Sequence, residues 1–174
     1  ASRARMSSTT ASNDTILPAF TSSACRRPAR PLGAAVTNSL ASASGAMTVA
    51  IVDTGPLVAF FDRAERHHRW VVERFEELDA PLLVCEPVLA EAMYLLARYP
   101  KAHDAVLGLI ENGALSVAFR LDEHLDALRK LLQKYRDTPM SLADACIVRM
   151  SEVHDRHAVL TLDSDFLVYR KHGR

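Results

Sequence analysis

From Thr48 onward the chain sets four short apolar runs between longer amphipathic stretches, and this alternation restricts the fold more than any other feature. The spacing predicts strands at 48–52, 82–85, 115–118 and 158–162, and helices at 54–61, 65–78, 87–98, 102–112, 121–136, 140–154 and 163–170. Glu86-Pro87 opens one helix with proline at its first position and Tyr99-Pro100 closes it, while Asn112-Gly113 closes the next. A hairpin cannot join strands that are separated by helices. Each crossover returns the chain to the same end of the sheet, so the strands run parallel. The class is α/β: a single domain with a mostly parallel central sheet of four to five strands, flanked by helices on both faces.

Composition sets the limits of that domain. A chain of 174 residues, 49% of them hydrophobic, buries one good core. Residues 1–46 hold nine serines, five arginines, no lysine and a single acid, Asp14, with no sustained apolar period. Such a segment does not build a core. Its Arg- and Ser-rich character suits a transit peptide, but nothing in it is clearly amphipathic. We expect a disordered or non-native leader at 1–46, upstream of a domain spanning 47–174. The whole chain carries 21 basic and 21 acidic residues; removing the leader leaves sixteen against twenty, a net charge of −4. No basic balance advertises a nucleic-acid binder. No apolar run approaches the ~18 residues of a membrane span, so a soluble protein with no membrane partner is expected. Cys25, Cys85 and Cys146 are far apart, and the last two sit among apolar neighbours, which suits buried free thiols in a reducing compartment, the cytoplasm.

The first strand, in "MTVAIVDTGPLVAFFD", ends on a carboxylate, Asp53, followed at once by Thr54-Gly55-Pro56. Ligands of open parallel sheets collect at the carboxyl ends of the strands, where loops and helix N-termini converge. Asp163 stands at another such end, after "AVLTL", with Asp165 two residues on. Two more acids lie in helical stretches. Glu91 has Pro87, Val88, Tyr94 and Leu95 as its i±3 and i±4 neighbours, and Asp144 has Met140, Ser141, Ile147 and Val148. Both therefore read as carboxylates on apolar faces. An unpaired buried carboxylate costs several kcal/mol, so each needs a base or a cation. Arg98 and Arg149 are the only arginines in these two helices, and Arg149 lies one position past i+4 of Asp144. Converging carboxylates without matched bases suit a hard divalent ion with oxygen ligands, Mg²⁺ or Mn²⁺. Zinc spacings are missing: no CxxC or HExxH occurs, and His67 and His68 are adjacent. His154 and His157 read as helix-end surface residues. Each acid also has a plain structural reading. Asp53 and Asp163 can cap the helices that follow them, and Glu91 or Asp144 can sit in a salt bridge.

Taken in order, "VAIVDTGPLVAFFD", "VLAEAMYLL", "MSLADACIVRM" and "VLTLDSDF" resemble the signature blocks of the PIN-domain ribonucleases, closest to the VapC-like toxins of bacterial toxin–antitoxin pairs. The resemblance implies a PIN-like nuclease domain over 47–174 with Asp53, Glu91 and Asp144 as catalytic metal-binding acids. Asp163 or Asp165 is the fourth, and Thr54 is a supporting hydroxyl. It implies a Mg²⁺- or Mn²⁺-dependent endoribonuclease with an RNA substrate, a cognate antitoxin and a homodimeric state. Arg63, Arg66, Arg69 and Arg149 are rim candidates for RNA phosphates. Apolar residues on two helical stretches, Phe60, Phe61, Trp70, Leu95, Leu96 and Tyr99, are candidates for the dimer and antitoxin surface. Two other readings compete. One is a catalytically silent PIN-like binding module. The other is a haloacid-dehalogenase-like phosphohydrolase, which needs an aspartate where this chain has Gly55.

Overall fold

The computed structural model describes residues 49–169. The leader at 1–46, Cys25, the strand position Thr48 and the predicted helix end at Arg170 lie outside the described residues. Four strands, β1 (Ala50–Val52), β2 (Leu82–Val84), β3 (Leu115–Val117) and β4 (Ala158–Leu160), form one sheet in the order β3-β2-β1-β4, every pairing parallel. All three residues of β1 and of β2 are buried. Side chains alternate between faces along a strand, so the two central strands are covered on both sides.

The helices are α1 (Thr54–Phe61), α2 (His68–Glu77), α3 (Glu86–Leu95), α4 (Pro100–Glu111), α5 (Leu125–Lys134) and α6 (Leu142–Val153). Tight 3-10 turns occupy Leu121–His124 and Ser164–Leu167, where longer helices were expected. Ile51, Leu57, Phe75, Leu82, Val88, Leu96, Leu115, Ile147 and Met150 fill the centre of the core, and Cys85 and Cys146 are buried thiols. His154 is the C-cap of α6, and its ring meets that of His157 edge-on.

Some boundaries differ from the sequence reading, each for a local reason. Pro100 opens α4 instead of closing α3: Tyr99 is the N-cap, and proline at the first helical position gives up only an N–H that has no helical acceptor. The expected close of α4 holds. Asn112 is its C-cap and Gly113 takes φ +78°, which an L side chain rarely adopts. At the end of α1, the C-cap Asp62 is 6% exposed. It accepts hydrogen bonds from the Ala64 N–H (2.9 Å), the Arg98 guanidinium (2.6 Å) and the Tyr99 hydroxyl (3.1 Å), tying α1 to the α3–α4 turn. Burial pushes this carboxyl up, but the three donors outweigh it and hold the group below its usual range.

The expected association surface is mostly core. Phe60, Phe61 and Leu96 are buried and Trp70 and Tyr99 partly so, leaving only Leu95 of the six exposed. Phe60 stacks on Phe75 of α2 with ring centroids 4.9 Å apart, because α2 folds back on α1.

Candidate active site

Asp53 follows β1 directly, and its N–H donates to the Leu160 carbonyl (3.0 Å), carrying the β1–β4 pairing one residue past the strands. Its side chain, 6% exposed, caps α1 by accepting from the Thr54 N–H (2.6 Å) and accepts a second bond from the Thr161 hydroxyl (2.7 Å). Thr161 comes just after β4, and its oxygen accepts from the Asp163 N–H (2.9 Å). One threonine thus laces two acids to neighbouring strand ends. The Thr54 hydroxyl donates to Glu91 on α3 (3.0 Å), joining a third acid to the same edge.

Glu91 and Asp144 arrive there for reasons other than those expected. Glu91 is exposed, and of its apolar neighbours Tyr94 and Leu95 are exposed with it while Val88 is core, so half of this company is surface. Asp144 is not mid-helix. The helix begins at Leu142, and Asp144 forms a capping box with Ser141: its carboxylate accepts from the Ser141 N–H (2.8 Å), and the Ser141 hydroxyl accepts from the Asp144 N–H (3.1 Å). Aspartate in a first turn satisfies the orphan donors there. Asp163 is exposed and accepts from the Asp165 N–H (2.8 Å).

The carboxylates act on one another through their charges. Burial pushes Asp53 up to about 6, the bonds from Thr161 and Thr54 oppose it, and the charges of Asp144 and Asp163 add to it. Asp144 is raised by burial, against its Ser141 bonds, and further by Asp163 and Glu91. Buried Tyr169 is pushed up to about 12, mainly by burial and then by Asp144, Asp165 and Asp163. Asp53 therefore feels the charges of Asp144 and Asp163, and Asp144 those of Asp163 and Glu91. The charge of Asp163 acts on Asp53, Asp144 and Tyr169, and that of Asp165 on Tyr169. Among the described residues no ion pair reaches any of these five acids.

An all-oxygen donor set of this kind fits a hard divalent ion. As the side chains stand, no three His, Cys, Asp or Glu groups among the described residues are close enough to hold a metal. The second oxygens of Glu91 and Asp163 accept no hydrogen bond from a described residue.

Three of the rim arginines lie away from Asp53, and Arg149 sits on α6 five residues past Asp144. Asp53 caps the N-terminus of α1, whereas Arg63, Arg66 and Arg69 lie beyond its C-terminus, about 12 Å along an eight-residue helix. Arg66 donates to His67 (2.8 Å), Arg69 pairs with Glu73 (3.1 Å), and Arg149 donates to Glu152 (2.8 Å) and His124 (3.5 Å). Thr161, Ser141 and Tyr169 are site residues that sequence reasoning missed. A serine three residues ahead of Asp144 was a legible capping signal; Thr161 and Tyr169 carried none.

With this geometry in view, the comparison with known families is decisive. The PIN domain family profile matches residues 50–171, which takes in all four strands and every acid above. The chain belongs to the PIN-domain family. This PIN domain is 33% identical over 115 residues to Ribonuclease VapC26 of Mycobacterium tuberculosis (strain ATCC 25618 / H37Rv), a match covering 65% of this chain and 85% of that protein. The four-stranded parallel sheet agrees with the fold expected of a PIN domain.

Proposed function

We propose that this PIN domain is a ribonuclease, the toxin of a toxin–antitoxin pair, that hydrolyses RNA phosphodiester bonds with Mg²⁺ or Mn²⁺ held by Asp53, Glu91, Asp144 and Asp163, with Asp165 alongside. The observation that carries it is the set of acids at one sheet edge with no base to match among the described residues, two of them, Asp53 and Asp144, raised by burial and by neighbouring carboxylates. Likeness to Ribonuclease VapC26 supports the substrate class. No described helix is long and apolar enough to cross a membrane. We place the protein in the cytoplasm, with an antitoxin as its protein partner.

A divalent ion in such a site supplies a water of lowered pKa and offsets charge on the phosphate. The protein's own groups provide position. The strand end and the Thr54 and Thr161 bonds fix Asp53, the Thr54 hydroxyl holds Glu91, and the capping box fixes Asp144 against α6. A ligand built on such elements is held more firmly than one on a loop.

The purified protein is expected to cleave single-stranded or loop RNA with Mg²⁺ or Mn²⁺, and Asp144→Asn is expected to abolish the cleavage. Undiminished cleavage in excess EDTA would remove the metal from the mechanism. A homodimer, expected from the resemblance, has lost the support of Phe60, Phe61 and Leu96; light scattering at tens of micromolar reads it directly.

A further inference from the structure

The chain has four tyrosines, and three are engaged. Tyr99 bonds Asp62 and lies under Arg98, while Tyr135 and Tyr169 meet edge-on with centroids 5.1 Å apart. Tyr94 differs. It is 81% exposed, and among the described residues neither its ring nor its hydroxyl has a partner. It stands three residues after Glu91 on α3, so the two share a face about 4.5 Å apart along the axis. Helical side chains lean toward the N-terminus, which tilts the ring back over the turn carrying Glu91. Leu95, 53% exposed, lies beside it.

The acid edge poses a problem for an RNA nuclease. Carboxylates repel the phosphate backbone, and the first arginines after Glu91 and Asp144 are engaged, Arg98 by Asp62 and Arg149 by Glu152 and His124. A neutral contact adds affinity close to the scissile bond without that repulsion. A bare aromatic face offers one, because every base has a π-face that stacks on it. We infer that Tyr94 is a stacking platform for a nucleobase next to the phosphate being cut. The inference rests on the ribonuclease reading. A second copy of the chain is the less favoured occupant, since the exposed apolar area of α3 is little more than Tyr94 and Leu95, with Glu86, Glu91 and Arg98 exposed around them.

The test is binding of labelled single-stranded oligoadenylate and oligouridylate, about ten nucleotides long, to the full chain in EDTA, read by fluorescence polarisation beside cleavage kinetics with Mn²⁺. Tyr94→Ala should weaken oligoadenylate binding roughly 5- to 150-fold and raise KM while leaving the melting temperature unchanged. Tyr94→Phe should bind like the parent, and Tyr94→Leu, which keeps apolar area without a π-face, like the alanine variant. The preference of the parent for adenine over uracil should shrink in the alanine variant. Unchanged affinity and KM in Tyr94→Ala, or full rescue by leucine, overturns the assignment. So does a dimer that Tyr94→Ala splits with no loss of RNA affinity, which gives the ring to a protein interface. A parent that neither binds nor cleaves RNA overturns the ribonuclease reading itself; a parent that cleaves while Tyr94→Ala cleaves equally well removes only the stacking.

Discussion

Asp53→Asn asks directly whether the buried acid is held for function at the expense of stability. The folded-state value rises from 3.8 to about 6, first through burial. Each pH unit between the two values is worth about 1.4 kcal/mol, so at neutral pH the charged side chain destabilises the metal-free fold by about 3 kcal/mol. The sign follows from ionisation being harder in the folded state than in the unfolded one. Stability is fully present below pH 3.8 and is lost as pH rises through about 6. Asparagine keeps the acceptor for the Thr54 N–H, and the Thr161 hydroxyl can turn to accept from its amide, with a loss of about 1 kcal/mol for the charged bond. The asparagine variant should therefore be more stable than the parent by about 2 kcal/mol near pH 7.5, with the advantage shrinking through pH 6 and gone by about pH 4. Urea melts in EDTA across that range measure it, and Mg²⁺ should reverse the order by stabilising the parent alone. A variant less stable than the parent at pH 7.5, or an advantage independent of pH, would refute the electrostatic account of the site.

Three further substitutions probe the scaffold. Thr161→Val removes a hydrogen bond that holds the Asp53 value down, so the acid limb of the cleavage pH profile should move up by roughly half to one pH unit with the fold intact; an unmoved limb would detach Thr161 from the chemistry. Asp62→Ala strips three donors of their shared acceptor and should cost about 2–3 kcal/mol in denaturant melts, with Asp62→Asn well under that. Gly113→Ala puts a side chain at φ +78° in open space, so the loss of about 1 kcal/mol expected in a thermal melt is backbone strain alone.

Spacing along the chain determined the order of elements and the sense of the sheet. Short apolar runs joined by helix-length crossovers leave parallel pairing as the solution, and the acids after β1 and β4 were visible at strand ends because a strand's end is a local event. Helix limits read well where a cap or a proline marked them, as at Cys85-Glu86-Pro87, and poorly where Pro100 serves as opener and closer alike. Periodicity reports only that a face is apolar. It put Phe60 and Leu96 on the same footing as Leu95, although the first two are core and the last is open to solvent. The tertiary structure alone decided that Thr161 holds Asp53 across 108 residues, that the charge of Asp163 reaches Asp53 and Asp144, and that Arg63, Arg66 and Arg69 lie beyond the far end of α1. Each is a long-range pairing or orientation, set by how helices pack on a finished sheet, and the repeat of residues along the chain does not encode it.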